Sequence, residues 1–139
     1  YSKYLCVILN SYLSCLSKEL LGRSSFGEGA LGTLGVDIVE YMVVNPLVIS
    51  KEFLRKMSIT FDNILRRPIK TIFEELGINP KQPIRSQKPN PLPDRKALDD
   101  IVFDILGLTQ AERDEVYLAV CELVKNRLEK ARSVKRGSL

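Results

Sequence analysis

The chain has 139 residues, 45% of them hydrophobic and 27% charged, and a formal net charge of +4, which is ordinary for a globular protein with a core. It contains no histidine, which excludes histidine-based catalytic triads and histidine metal ligands. No apolar run reaches the roughly eighteen residues of a membrane span, and three unclustered cysteines (Cys6, Cys15 and Cys121) favour a reducing, cytoplasmic setting over a disulfide framework or a zinc site.

Apolar residues at helical spacing predict one helix over residues 3–21. Gly22 is expected to end this helix in the left-handed conformation. Ser11, Ser14 and Ser17 fall on the face away from the apolar residues. The chain starts at Tyr1 inside this helix, so we expect it to be part of a longer protein.

A glycine-rich stretch follows, with glycines from Gly27 to Gly35 that break any helix. Ala30–Leu34 and the β-prone Met42–Val44 predict two short strands, with a possible helical turn at Asp37–Tyr41 between them. Glycine N–H groups can approach an anion closely, so the run 27–29 could cradle a phosphate. A plain loop before a strand is the alternative.

Ser50 is expected to cap a helix that runs to about Arg67. Pro68 either kinks this helix or opens a new one at its first turn, and Gly77 ends the pair. Five prolines then fall within residues 78–93, where there is little to bury. This composition predicts an extended, basic linker.

Two further helices form a predicted hairpin over residues 94–136. Asp94 is expected to cap the first helix and Gly107 to end it, while Thr109 and Glu112 form a capping box that opens the second. The predicted fold is therefore α+β and mostly helical, in three parts: residues 1–77 with the small two-strand element and kinked helices, the linker 78–93, and the helical hairpin 94–136.

No catalytic constellation is present: the sequence has neither a P-loop, nor a dinucleotide-binding glycine motif, nor a CxxC pair. Asp99 and Asp100 are adjacent and point to different helix faces, which favours a solvated face over an acid/base dyad. Glu112, Asp114 and Glu115 lie in a first helical turn, where acids complement the helix dipole. These acids are therefore interpreted as structural.

Charge is unevenly distributed along the chain. Residues 51–90 carry nine basic and four acidic residues, a net of +5, and bases dominate again from Lys125 to Arg136. Such segments are compatible with a polyanion partner, although basic helix faces are also common on other soluble proteins.

A set of short motifs, in order along nearly the whole chain, resembles the C-terminal region of N6-adenine DNA methyltransferases of restriction–modification systems. In that family a leucine-asparagine-serine helix leads into a glycine-x-glycine-alanine-leucine strand and a short strand that ends in Asn-Pro. The corresponding residues are Leu9-Asn10-Ser11, Glu19-Leu20-Leu21-Gly22-Arg23, Gly27-Glu28-Gly29-Ala30-Leu31, Asp37, Val43-Val44-Asn45-Pro46, Arg67-Pro68-Ile69, Glu74-Glu75-Leu76-Gly77, Arg95, Leu98-Asp99-Asp100, Phe103-Asp104, Leu106-Gly107-Leu108-Thr109, Glu112-Arg113, Leu123-Val124, Arg127-Leu128 and Lys130-Ala131-Arg132-Ser133.

The resemblance implies a DNA target-recognition region, with double-stranded DNA and an upstream catalytic domain as partners and no membrane. The family's catalytic Asn-Pro-Pro-Tyr/Phe motif is absent, and the runs 45–47 and 90–92 (Asn-Pro-Leu) only approach it. The resemblance therefore implies no cofactor in this segment, and S-adenosylmethionine in the upstream domain of the parent protein.

Candidate DNA contacts follow from the resemblance and the charge pattern, with solvent-exposed charge as the alternative for each. A helical interaction module that packs on a catalytic domain or partner subunit is the alternative function. The candidate residues are Arg23, Ser24 and Ser25 before the strand; Arg66, Arg67 and Lys70 near Pro68; Arg85 and Lys88 in the linker; and Lys125, Arg127, Lys130, Arg132, Lys135 and Arg136 at the basic end.

Overall fold

A computed structural model of the chain describes residues 2–26, 30–32, 41, 43–45, 47 and 49–136, with only the backbone of residues 23–26 and 134–136. The architecture is mostly helical with a small sheet, as predicted. Among the described helices none combines the length and apolar character needed to cross a membrane. The elements are α1 (Ser2–Leu9), α2 (Tyr12–Leu21), β1 (Arg23–Phe26), β2 (Ala30–Gly32), α3 (Lys51–Leu65), α4 (Ile72–Leu76), a 3₁₀ turn (Ile84–Ser86), α5 (Pro93–Ile105) and α6 (Gln110–Arg136).

Helix α5 is central because it supplies residues to both hydrophobic clusters. One cluster joins α1, α3 and one face of α5 around Met57 and Val102, which are both fully buried. The other joins α2, α4 and α6 around Phe103 and Tyr117, whose rings pack edge to face. Burial on opposite faces of α5 therefore holds the helices on either side of it in one body.

The single helix predicted over residues 3–21 is wrong, because the chain breaks at Asn10–Ser11. Ser11 is extended at φ −70°, ψ 154° and caps α2. The hydroxyls of Ser11 and Ser14 each donate to the carbonyl of Ile8 at 2.7 Å, and this carbonyl at the end of α1 also accepts the backbone N–H of Ser11 at 3.1 Å. Ser11, Ser14 and Ser17 are all buried, so the face of the chain away from the predicted apolar residues is also covered.

The sheet has two antiparallel strands, but they differ from the predicted pair. β1 occupies Arg23–Phe26, where no strand was predicted, and pairs with β2 at Ala30–Gly32, where a strand was expected. Gly22 is extended at φ −69° instead of left-handed, because it enters β1 directly. Of the predicted second strand, Val43 and Val44 are described and lie in no strand. The predicted phosphate cradle at 27–29 and most of the turn at 37–41 lie outside the described residues.

Ser50 caps α3, as predicted, by accepting a hydrogen bond from the backbone of Phe53. Neither prediction for Pro68 is correct: residues 66–71 leave the helix, and α4 begins only after Thr71. Thr71 forms a capping box with Glu74. Gly77 ends α4, as expected, and is left-handed at φ 63°.

The proline-rich segment 78–93 packs on the protein instead of extending away from it. Ile78, Ile84 and Pro89 are buried, and the two isoleucines belong to the cluster around Phe103. Backbone N–H groups of Asn90 and Leu92 donate to the carbonyls of Leu76 and Glu75 at 2.9 and 2.8 Å. The expectation of little to bury is therefore wrong for this segment.

The N-cap of α5 is Leu92, and the helix begins at Pro93. Asp94 lies in the first turn, so the prediction that it caps this helix is wrong. Gly107 follows the end of α5, as predicted, and is left-handed at φ 68°. The capping box of Thr109 and Glu112 is also confirmed, since each accepts from the other's backbone N–H. Beyond this turn α5 packs mainly on α3 and α6 on α2, while Asp99 and Phe103 of α5 still contact Tyr117 of α6.

Candidate nucleic-acid interface

A buried polar network lies at the junction of α2, α4 and α5. Nε of Arg95 donates to Oε2 of Glu75 at 2.8 Å, and the same oxygen accepts the hydroxyl of Tyr12 at 3.0 Å. A second guanidinium nitrogen of Arg95 donates to the carbonyl of Asn10 at 2.7 Å, and the guanidinium lies 5.0 Å from the centre of the Tyr12 ring. Arg95 therefore links the break between α1 and α2 to α4 and α5.

Asp99 is fully buried in the same region, so the prediction that it lies on a solvated face is wrong. Its carboxylate accepts the backbone N–H of Tyr12 at 2.8 Å and the hydroxyl of Tyr117 at 3.3 Å. Burial raises the pKa of Asp99 to about 7, although Arg95 and the two hydrogen bonds favour its ionised form. The carboxylate thus satisfies an open N–H at the start of α2.

Arg67 joins this network from the loop after α3. It donates to Oε1 of Glu75 at 2.7 Å, to the carboxylate of Asp94, and to the carbonyl of Pro68 at 3.2 Å. Partial burial opposes ionisation, but the bonds to Glu75 and Asp94 outweigh it and raise the pKa of Arg67. This residue was a candidate DNA contact, and its side chain is instead occupied inside the protein.

The network holds its charged side chains in place through hydrogen bonds within the chain. The burial of Tyr12 and Tyr117 raises the pKa of both hydroxyls, so they stay protonated and act as hydrogen-bond donors. This cluster was not among the sites predicted from the sequence. One signal was available: Arg95 and Asp99 share one face of α5 with Leu98 and Val102, and charged residues on an apolar helix face indicate a buried pair.

The loop between α3 and α4, residues Arg66–Thr71, brings two other candidates to the surface. Arg66 and Lys70 are exposed and form no ion pair with any described residue. Ile69 lies between them along the chain with 98% of its surface exposed. This loop therefore presents cations and an apolar side chain together.

Two more candidate arginines are held by ion pairs on α6 and α2. Arg85 pairs with Glu115 and Glu122 across the surface of α6. Arg127 binds both carboxylate oxygens of Glu19 at 2.9 and 2.6 Å in a two-pronged contact. Arg127 thereby joins α6 to α2, and the charges of both arginines are engaged within the chain, which weakens their case as DNA contacts.

The remaining cations are spread over the surface. Lys125 is half-buried and donates to the carbonyl of Gln82 at 3.3 Å, whereas Lys88, Lys130 and Arg132 are exposed. Lys125 and Arg132, with Lys81, line a groove of about 870 Å³ between α4, the segment after it and α6. Phe73, Ile78 and Leu128 form its apolar lining, and Glu74 and Glu129 also lie along it.

The last candidates cannot be placed as side chains. Arg23, Ser24 and Ser25 lie on β1, and Lys135 and Arg136 end α6, but only the backbone is described at these positions. Among the candidates with described side chains, the structure thus brings Arg66 and Lys70 together on one loop.

No family model matches this chain, and neither a curated protein nor a solved structure is similar to it. Within the part of the chain that the structure describes, no group of three or more cysteine or acidic side chains could hold a metal ion.

Proposed function

We propose that this chain is the C-terminal DNA-recognition part of an adenine-specific DNA methyltransferase and positions duplex DNA for an upstream domain. That domain would use S-adenosylmethionine and would carry out the methyl transfer. The motif resemblance supports this assignment, as does the net charge of +5 over residues 51–90. The observation that carries it is the pair Arg66 and Lys70, exposed on one loop without an ion-pair partner among the described residues.

The cations differ in whether they form ion pairs with carboxylates of the chain, and this difference supports the same proposal. Arg67, Arg85 and Arg127 are engaged by carboxylates of the chain itself, so their charge is locally neutralised. Arg66 and Lys70 keep theirs available for phosphates. Contacts to phosphates supply most of the affinity of a non-specific DNA complex and release counterions, so binding should be salt-sensitive.

The test is binding of a fluorescently labelled duplex at low salt, followed by anisotropy. The double variant Arg66→Glu/Lys70→Glu is expected to weaken binding about tenfold or more, because two phosphate contacts become repulsive. Lys51→Glu/Arg55→Glu is the matched control: it makes the same change of charge at two exposed cations of α3 that form no ion pair with a described residue, roughly 16–23 Å from Arg66 by helix rise.

Two results would contradict the proposal. Absence of duplex binding by the unaltered chain at low salt rejects DNA recognition by this chain. Equal losses in the loop variant and the α3 control show that general charge, and not the loop, governs binding.

An apolar surface favours a second candidate, a helical interaction module that packs on a catalytic domain or partner subunit. Leu16 and Leu20 of α2 and Leu123 of α6 line a shallow pocket of about 390 Å³, with Leu20 64% exposed. Leu20→Ser should then weaken association with the parent's catalytic domain, measured by titration calorimetry. Arg66→Glu should leave that association unchanged if the module acts through this surface alone.

A further inference from the structure

Ile69 is the most exposed large hydrophobic side chain among the described residues. It is 98% exposed, whereas Leu65, at the end of α3 beside the same loop, is 65% exposed. Pro68 precedes it and is also exposed. Apolar side chains that are exposed singly are common on proteins and need no explanation by themselves. The setting of Ile69 is what distinguishes it.

The loop that carries Ile69 is braced on both sides. Arg67 reaches inward to Glu75 and Asp94 and also donates to the carbonyl of Pro68, which fixes the backbone directly before Ile69. Thr71 closes the other side, because its hydroxyl and its backbone N–H both bond the carboxylate of Glu74 at 2.7 and 2.8 Å. Hydrogen bonds therefore fix the backbone on both sides of Ile69, while its side chain lies in solvent.

The charges beside Ile69 indicate what it could meet. Arg66 and Lys70 flank the tip, and neither makes an ion pair with a described residue. Glu74 is the nearby acid: its bonds to Thr71 lower its pKa first, and the charge of Lys70 contributes further. Its carboxylate is committed to the capping box, so the exposed tip presents two cations around an apolar side chain.

We propose that Ile69 is a wedge that enters the minor groove of duplex DNA and inserts at a base step, while Arg66 and Lys70 hold the flanking phosphates. This inference rests on the proposed DNA recognition and adds how the duplex is engaged. Proteins that kink DNA insert isoleucine, leucine or proline between bases from the minor groove, since unstacking is repaid by contacts that the bent duplex allows. The base faces would cover an isoleucine that the protein leaves in water.

The experiment measures duplex shape and affinity separately. A duplex labelled with a donor and an acceptor dye at its ends reports bending, and 2-aminopurine placed in the duplex reports unstacking. With the unaltered chain, end-to-end energy transfer and 2-aminopurine emission should both rise on binding. Ile69→Ala should abolish both changes while lowering affinity about tenfold or less.

Two control variants test whether the effect depends on an apolar side chain at position 69 or on the loss of any exposed aliphatic side chain. Ile69→Leu keeps a branched apolar tip and should retain bending. Leu47→Ala removes another exposed aliphatic side chain, 71% exposed and 22 positions earlier in the chain, and should change nothing. Because Ile69 makes almost no internal packing, Ile69→Ala should unfold at the same urea concentration as the unaltered chain.

The outcomes separate this inference from the proposed function. Binding without bending or unstacking, or full distortion by Ile69→Ala, overturns the wedge and leaves DNA recognition standing. Failure of the unaltered chain to bind any duplex rejects both. If Ile69→Ala instead loses binding to vesicles that contain phosphatidylserine while DNA distortion is unchanged, the exposed isoleucine serves a membrane surface and the wedge is wrong.

Discussion

Arg95 and Glu75 form an ion pair in which Nε lies 2.8 Å from Oε2 and each side chain is less than a tenth exposed. The two residues are twenty positions apart, on α5 and α4. Tyr12 of α2 and Arg67 of the loop bond the two oxygens of the same carboxylate. One carboxylate thus fixes four segments, including the loop proposed to meet DNA.

Glu75→Gln is expected to lower the free energy of unfolding by about 3 kcal/mol, because removal of one partner leaves a buried charge poorly compensated. Urea unfolding followed by circular dichroism measures this change. Glu52→Gln breaks the exposed i,i+4 pair with Lys56 and should leave the unfolding midpoint almost unchanged. Equal effects of the two substitutions would show that the buried pair has no special structural role.

Stability should fall as pH rises through the range in which Asp99 ionises. Its pKa is about 7 in the folded chain and close to 4 when unfolded, so the folded state binds the extra proton between these values. The stabilisation from protonated Asp99 is complete below the unfolded pKa and is lost as pH rises through the folded one. The chain has no histidine, so few other side chains titrate in this window.

Asp99→Asn removes this titration and keeps the environment polar, since the amide can accept from Tyr12 and donate to the hydroxyl of Tyr117. Between about pH 5 and about pH 8 the unaltered chain should lose about 2 kcal/mol more stability than the variant. Urea midpoints at both pH values for both proteins measure the difference. A variant that loses stability as steeply as the unaltered chain contradicts the assignment of this slope to Asp99.

Gly77 and Gly107 provide a matched pair, since both are left-handed at φ 63° and 68°. Gly107→Ala should cost about 1 kcal/mol, the conformational penalty alone, because nothing lies within 4 Å of an added Cβ. At Gly77 an added Cβ would lie 2.9 Å from the carbonyl oxygen of Asn90, so Gly77→Ala should cost about 3 kcal/mol. Thermal unfolding of both variants tests this order, and equal costs would contradict the predicted clash.

Elements defined by local chemistry were predictable from the sequence. The caps at Ser50 and Thr109 and the ends at Gly77 and Gly107 each depend on residues within one turn, so a short sequence window contains the whole cause. The hairpin turn and the mostly helical class follow from the same signals.

Features set by distant residues were not predictable in this way. The break at Asn10–Ser11 is stabilised by Arg95 and Asp99, more than eighty positions later. The segment 78–93 packs because Ile84 finds a site beside α6, which its proline content does not reveal.

In the candidate interface, too, local features were predictable from the sequence and long-range contacts were not. Sequence supplies the charge of an arginine but not its partner, and Arg127 is paired with Glu19, 108 positions away. Arg67 and Arg85 were likewise indistinguishable from Arg66 and Lys70 before their carboxylate partners were known. Ion pairing therefore decides which of the predicted cations are available for DNA.

The salt dependence of duplex binding should separate available cations from paired ones. Each phosphate contact adds roughly 0.9 to the magnitude of the slope of log K against log salt concentration for B-form DNA. Lys70→Ala should therefore lower that magnitude by roughly 0.9 and weaken binding at low salt. Arg85→Ala removes the same charge from an arginine held by Glu115 and Glu122, and it should leave the slope unchanged. Anisotropy titrations across a salt series give both slopes. A lower slope for Arg85→Ala together with an unchanged one for Lys70→Ala would move the interface from the Arg66–Thr71 loop to the surface of α6.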